Sequence, residues 1–186
     1  MRLTLASGSP RRHALLTTLG VAFETVVPDV DESVVPGEAP EAYVARVATA
    51  KAVAVGTQPV LAADTTVVLD GRILGKPADP SEASSMLGAL AGRDHTVHTA
   101  VAAIGPEGSS SVVSSATVRM AAMSDDDIAW YVATGEPMDK AGAYGLQGIG
   151  GVFVESVTGD PHTVIGLPLV AARAACRAAG FELLPA

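Results

Sequence analysis

Ser7, Gly8, Ser9, Pro10, Arg11 and Arg12 bring two hydroxyls, a glycine and two guanidiniums together within six residues. Such a set is suited to holding an anion. Glycine lets the backbone turn tightly or approach a ligand closely. Ser9 is a good helix N-cap, and Pro10 falls where a helix best accepts proline. A helix start offers unpaired N–H groups and the positive end of the macrodipole. Forked guanidiniums match phosphate oxygens. The first twelve residues carry Arg2, Arg11 and Arg12 and no acid, in a chain whose net charge is -8. The stretch therefore reads as a phosphate-binding loop. The plainer alternative is a capped helix start with a solvated cationic turn. No GxxxxGK[ST] run occurs, so this is not a Walker A loop, nor is it a dinucleotide fingerprint.

Asp64 follows the apolar run Pro59 to Ala63. A carboxylate at the end of a buried strand is where α/β proteins place ligand and metal contacts. It suits a divalent cation or the acceptance of a proton from an attacking water, and an Asx turn or helix cap is the alternative. Lys51 and Lys76 are candidate phosphate contacts, or a snorkelling and a solvated charge. The pair Asp31-Glu32 reads as surface charge or as a source of a metal ligand. Gln147 lies in the glycine-rich run Gly142 to Gly151, which is either mobile or wrapped closely around something. Its amide both donates and accepts, as base recognition requires. His95 and His98 are three apart in a strand and face opposite ways. No zinc spacing and no GxSxG elbow is present.

The elements that would hold these residues alternate. Leu3 to Ala6 reads as a strand, and Ala14 to Leu19 as part of a helix. Val21 to Val27 is a strand, Pro28 to Pro40 an exposed acidic loop, and Glu41 to Val55 a helix. Strands follow at Pro59 to Ala63, Thr66 to Leu69 and Arg72 to Leu74, the last two around a hairpin signal at Asp70-Gly71. A helix capped by Asp79 or Ser81 runs to about Leu90. Strands Val97 to Ile104 and Ser111 to Met120 precede a helix capped by Ser124. Val152 to Val157 is a strand, and Gly166 to Ala179 the last helix. This alternation predicts an α/β fold.

At 186 residues the chain fits one domain, 1–186, or one domain of two lobes. Its acidic balance argues against broad nucleic-acid or anionic-membrane binding but leaves room for a local basic pocket. One cysteine, Cys176, excludes an internal disulfide, and its alanine-rich setting predicts a buried structural thiol. The N-terminus lacks a signal-peptide core and no apolar run has membrane-spanning length, so a cytoplasmic protein is expected.

Seven stretches in order resemble the Maf family of nucleoside triphosphate pyrophosphatases. They are the Ser7–Arg12 loop, Tyr43–Ala48 leading to Lys51-Ala52, Ala63-Asp64-Thr65, Gly75-Lys76-Pro77, Leu90–Val97, Asp139–Gly148, and Gly166-Leu167-Pro168. The resemblance covers nearly the whole chain. It implies a Maf/ITPase-like α/β fold, an elongated twisted mixed sheet flanked by helices, with two lobes and a central cleft. It implies hydrolysis of a nucleoside triphosphate to the monophosphate and pyrophosphate. By the same resemblance Asp64 is catalytic, Glu32 and Asp64 hold a divalent metal (Mg²⁺ or Mn²⁺), and Ser7, Arg11, Arg12, Lys51 and Lys76 hold the triphosphate. The branch that acts on dTTP and UTP carries Arg, Thr and Gln at three selectivity positions, matched here by Arg12, Thr65 and Gln147. Modified pyrimidine nucleotides fall within the same expectation. The expected partner is a small-molecule nucleotide, with no nucleic acid and no membrane, and with a homodimer as one option. A departure falls at Pro161-His162-Thr163, where the family often has Tyr and then Asn. The alternative function is a non-catalytic nucleotide-binding regulator of cell division and septum formation.

Overall fold

Leu3–Ala6 forms the first strand, β1, buried along its whole length. Ser9 then caps α1 (Pro10–Thr18), its hydroxyl accepting from the Arg12 backbone N–H at 3.5 Å, with Pro10 in the first turn. The computed structural model in which these elements are seen describes residues 2–56 and 58–184. The order continues with β2 (Phe23–Val26), α2 (Pro40–Val55), β3 (Val60–Leu69), β4 (Arg72–Leu74), α3 (Pro80–Leu90), β5 (Asp94–Gly105) and β6 (Gly108–Met120). After α4 (Asp125–Ala133) come three short 3₁₀ turns, at Glu136–Asp139, Ala141–Ala143 and Ile149–Phe153. Then follow β7 (Val154–Thr158), α5 (Pro161–Ile165) and α6 (Leu169–Ala178).

Seven strands make one mixed sheet in the order β2-β1-β3-β5-β6-β7, with β4 paired to β3 off that path. β1 is parallel to both β2 and β3, whereas β4 is antiparallel to β3 and β7 to β6. A bulge between Arg119 and Met120 shifts the β6–β7 register. This is the α/β fold that the alternating pattern predicts, and the mixed sheet is the one the family resemblance implies.

The chain divides into two compact units. The first holds the residues up to Asp64, Thr99–Ser114 and those from Gly166. Its core joins Leu5 and Leu16 to Leu61, Val101 and Leu167, with Cys176 among them. Burial pushes the Cys176 thiol up to about 12, so it is a packing group and not a nucleophile. The second holds Thr65–His98 and Ser115–Ile165, around Val67, Leu87, Val97, Met120, Tyr131 and Phe153. β3, β5 and β6 each contribute residues to both units.

Local signals place the helices well. α2 opens on Pro40 and stops at Gly56 in the left-handed region, φ 69°. Asp79, not Ser81, caps α3, accepting from the Glu82 N–H at 2.8 Å. Ser124 and Asp127 form a reciprocal capping box on α4.

Two expectations are corrected. The separate strands expected at Pro59 to Ala63 and Thr66 to Leu69 are one strand, β3, which passes through Asp64 without a break. A charge in mid-strand is tolerated because it is paired, as shown below. β7 begins at Val154, because Ile149–Phe153 winds as a 3₁₀ turn. Pro161–Ile165 is a short helix entered through Asp160, whose carboxylate accepts from the His162 N–H at 2.9 Å. Among the described residues no helix is long and apolar enough to cross a membrane.

Candidate active site

In the first unit, the turn after β1 folds back on itself. Ser7 Oγ accepts from the Ser9 N–H at 3.2 Å and from Arg12 Nη1 at 3.1 Å. Both lone pairs are thereby used, and the hydroxyl proton remains to be donated. Arg12 is buried, and its Nε donates to the Gly166 carbonyl at 2.7 Å. Burial lowers its pKa while the Asp64 charge raises it, and the guanidinium stays charged in either case. Arg11 is half-buried beside it on the first turn of α1.

Lys51 lies on the buried stripe of α2 that also carries Tyr43, Val44, Val47 and Ala48. Its ammonium does not snorkel to water. Nζ sits 2.7 Å from Asp64 Oδ1 and 2.8 Å from Glu32 Oε1. Asp64 is buried, whereas the Glu32 side chain is 46% exposed. Two other α2 residues fix the loop that carries Glu32. Tyr43 donates its hydroxyl proton to the Glu32 carbonyl at 3.0 Å, and Arg46 Nη2 donates to the Ser33 carbonyl at 2.9 Å while pairing with Glu38. The acidic pair is thus divided. Asp31 accepts from the Ser33 N–H at 2.8 Å in an Asx-type turn, and Glu32 turns to Lys51.

Burial raises the Asp64 pKa, and Lys51 and Arg12 offset part of that rise. A raised carboxyl is a better proton acceptor than an exposed one. Neither the Asx turn nor the helix cap describes Asp64. The two carboxylates also fit a hard divalent cation. They converge on one point, where the Lys51 ammonium sits, and Mg²⁺ is typically held by one or two carboxylates together with phosphate oxygens and water. Among the described residues no group of three or more His, Cys, Asp and Glu converges, so further ligands would come from substrate and solvent.

The remaining candidates lie in the second unit. Thr65 is half-buried, and as the neighbour of Asp64 in an unbroken strand it projects from the opposite face. Lys76 is exposed between β4 and α3, just before the buried Pro77. The preceding Gly75 carbonyl accepts from the Gly142 N–H at 3.0 Å, which ties this loop to the glycine-rich run. Gln147 is exposed on that run.

The run is closely wrapped around its own unit. A Cβ on Gly142 would lie 2.9 Å from both methyls of Val67, and one on Gly145 would lie 2.7 Å from Lys140 Cε. Buried Lys140 donates to the Glu136 carbonyl and to Asp139 Oδ1, each at 2.6 Å. Tyr144 is buried, its hydroxyl 2.7 Å from His95 Nε2. His98 is bonded elsewhere, to Ser115 at 2.8 Å. Sequence reasoning missed Tyr43, Arg46 and Glu136. The i, i+3 spacing of Tyr43 and Arg46 on one helix face was a usable signal. Glu136 gave no local one.

The α/β fold thus carries, in its first unit, a capped helix start with a buried guanidinium and a buried acid held by a lysine. The model of the Maf-like protein family matches residues 2–179, and the chain belongs to that family. A relative from Anaeromyxobacter dehalogenans (strain 2CP-1), named dTTP/UTP pyrophosphatase, is 53% identical over 98% of this chain and 96% of its own. Relatives of the same name from Methylobacillus flagellatus and Symbiobacterium thermophilum are 51% and 49% identical, each over 90% of this chain and over 87% and 89% of theirs. The solved structure of the Staphylococcus aureus Ham1 protein is similar over 65% of this chain and 72% of that one, with 17% identity and a TM-score of 0.45.

Proposed function

We propose that this protein hydrolyses dTTP and UTP to the nucleoside monophosphate and pyrophosphate. The names and high identity of its relatives support the reaction class. The observation that carries the mechanism is the buried Asp64 held by Lys51 at 2.7 Å. Triphosphate oxygens compete with Asp64 and Glu32 for the Lys51 ammonium. Released from that pair, Asp64 accepts a proton from a water molecule, whose oxygen bonds to the α-phosphorus. The bond from that phosphorus to the bridging oxygen breaks, and pyrophosphate leaves with the electron pair. Ser7 donates its hydroxyl proton to a phosphate oxygen, and Arg11, Arg12, Lys51 and Lys76 stabilise the charge that develops on the leaving group.

Glu32 and Asp64 would hold a divalent cation, Mg²⁺ or Mn²⁺, and when bound it polarises the phosphoryl oxygens as a Lewis acid. Arg12, Thr65 and Gln147 are assigned to base selectivity on the motif match, with Gln147 presenting both a donor and an acceptor to a pyrimidine. Modified pyrimidine nucleotides fit the same assignment.

The test is pyrophosphate release from dTTP, UTP, CTP, dATP, GTP and 7-methyl-GTP, with Mg²⁺, Mn²⁺ or EDTA. Metal-dependent release chiefly from dTTP and UTP is expected. Turnover centred on a purine would keep the enzyme and overturn the selectivity assignment. Binding without cleavage of any nucleotide would overturn the reaction itself in favour of a nucleotide-binding regulator.

A further inference from the structure

Gln147 is an exposed side chain on a loop of small residues, which by itself fixes no direction for its amide. The loop is held from behind by one residue. Glu136 Oε1 accepts from the Gly150 N–H and from the Tyr131 hydroxyl, both at 2.9 Å, and Oε2 accepts from the Ile149 N–H at 2.9 Å. The backbone of Glu136 is itself anchored, its carbonyl accepting from buried Lys140 at 2.6 Å.

The glycines beside Gln147 are shaped to this clamp. Gly148 has φ +97°, and a Cβ there would lie 2.8 Å from Glu136 Oε2. A Cβ on Gly150 would lie 2.8 Å from the Gly145 carbonyl oxygen and would overlap the Tyr131 hydroxyl. On the other side of Gln147, Gly145 leaves room for the Lys140 alkyl chain. Gln147 is therefore bracketed by backbone that closes on Glu136 and Lys140. Burial pushes the Glu136 carboxyl up, but the donors from Gly150, Ile149 and Tyr131 outweigh it, so the clamp is an ionised one.

We propose that Glu136 is a positioning residue for base recognition, which aims the Gln147 amide at the pyrimidine edge by fixing the two backbone N–H groups that follow it. The proposal rests on the assignment of Gln147 to base selectivity. The Glu136 carboxylate is spent on Gly150, Ile149 and Tyr131. Its loss should weaken base discrimination and leave the chemical step largely intact.

The experiment compares the wild type with Glu136→Gln, Tyr131→Phe and Gln147→Ala. Two quantities are read: amide hydrogen exchange at Ile149 and Gly150, and kcat and KM for dTTP, UTP and GTP. Gln offers one acceptor oxygen where the carboxylate offers two, so one donor loses its partner. In Glu136→Gln at least one of the two amides should lose protection by about tenfold, and KM for dTTP and UTP should rise about tenfold, with kcat changing much less. The preference for dTTP and UTP over GTP should fall in the same direction as in Gln147→Ala. Tyr131→Phe removes one donor and keeps both backbone bonds, so it should give a smaller change of the same sign, and it carries the test if Glu136→Gln does not fold. Unchanged protection overturns the proposal, as does a uniform fall in kcat for every nucleotide. If Gln147→Ala alters the preference and a deprotected Glu136→Gln does not, the positioning role alone is overturned. An unaltered preference in Gln147→Ala shows instead that the base assignment of Gln147 has failed, and the proposal falls with it.

Discussion

Asp64 is charged, buried and in the middle of a strand, and such a group persists only with a partner. Lys51 supplies it, and the same contact defines what each residue can do. Under the proposed mechanism, removing the Asp64 carboxylate should lower turnover by about 10²- to 10⁴-fold. Asp64→Asn should show that loss in pyrophosphate release while circular dichroism and the melting transition stay native-like. The wild-type pH profile carries a second expectation. As the proposed proton acceptor Asp64 acts deprotonated, and burial raises its pKa, so kcat/KM should fall with decreasing pH at an acid limb above the ordinary Asp value of about 3.9. The residual activity of Asp64→Asn should lack that limb. An identical limb in the variant would mean that another group titrates there.

At the scale of elements, the glycine-rich run is where local reading reached its limit. A Gly-Ala-Tyr-Gly pattern tells of turns but not of what fills the space left by missing side chains. Here Val67, Lys140 and Glu136 fill it. Gly142→Ala tests this directly. It would force a side chain into φ +68° and place a Cβ 2.9 Å from both Val67 methyls. A loss of about 2–3 kcal/mol in urea unfolding is expected, from left-handed strain and overpacking together. A change under about 0.5 kcal/mol would contradict so close an approach. By contrast, the start of α1 was legible to the residue, because Ser9 and Pro10 act within one turn of chain. β3 was half legible. Its apolar run announced a buried strand, but the charge of Asp64 read as an end because its partner lies thirteen residues away on another element. Glu136 was invisible for the same reason, thirteen and fourteen residues before the amides it holds.

For the whole molecule, a buried acid-sensitive group outside the candidate site is His95. Burial lowers its pKa from 6.5 to about 4, and its Nδ1 has no partner among the described residues. The folded protein therefore binds fewer protons than the unfolded chain between these values. The resulting stability is fully present above about 6.5 and is lost as pH falls toward 4, by roughly 3 kcal/mol. The urea midpoint should drop across that window, and the folded His95 ring should show no titration near 6.5 by NMR. A ring that titrates with an ordinary midpoint would refute the assignment.

The Arg12 bond to the Gly166 carbonyl spans 154 residues. On a translating ribosome Arg12 emerges long before Gly166, and at ordinary elongation rates roughly 8–30 s separate them. For all that time the serine-arginine turn lacks its last fastening. A nascent chain halted before α6 should fail to retain nucleotide on a filter, and release to completion should restore retention. Until Gly166 has been made, the turn proposed to grip the triphosphate lacks the carbonyl that seats its buried guanidinium.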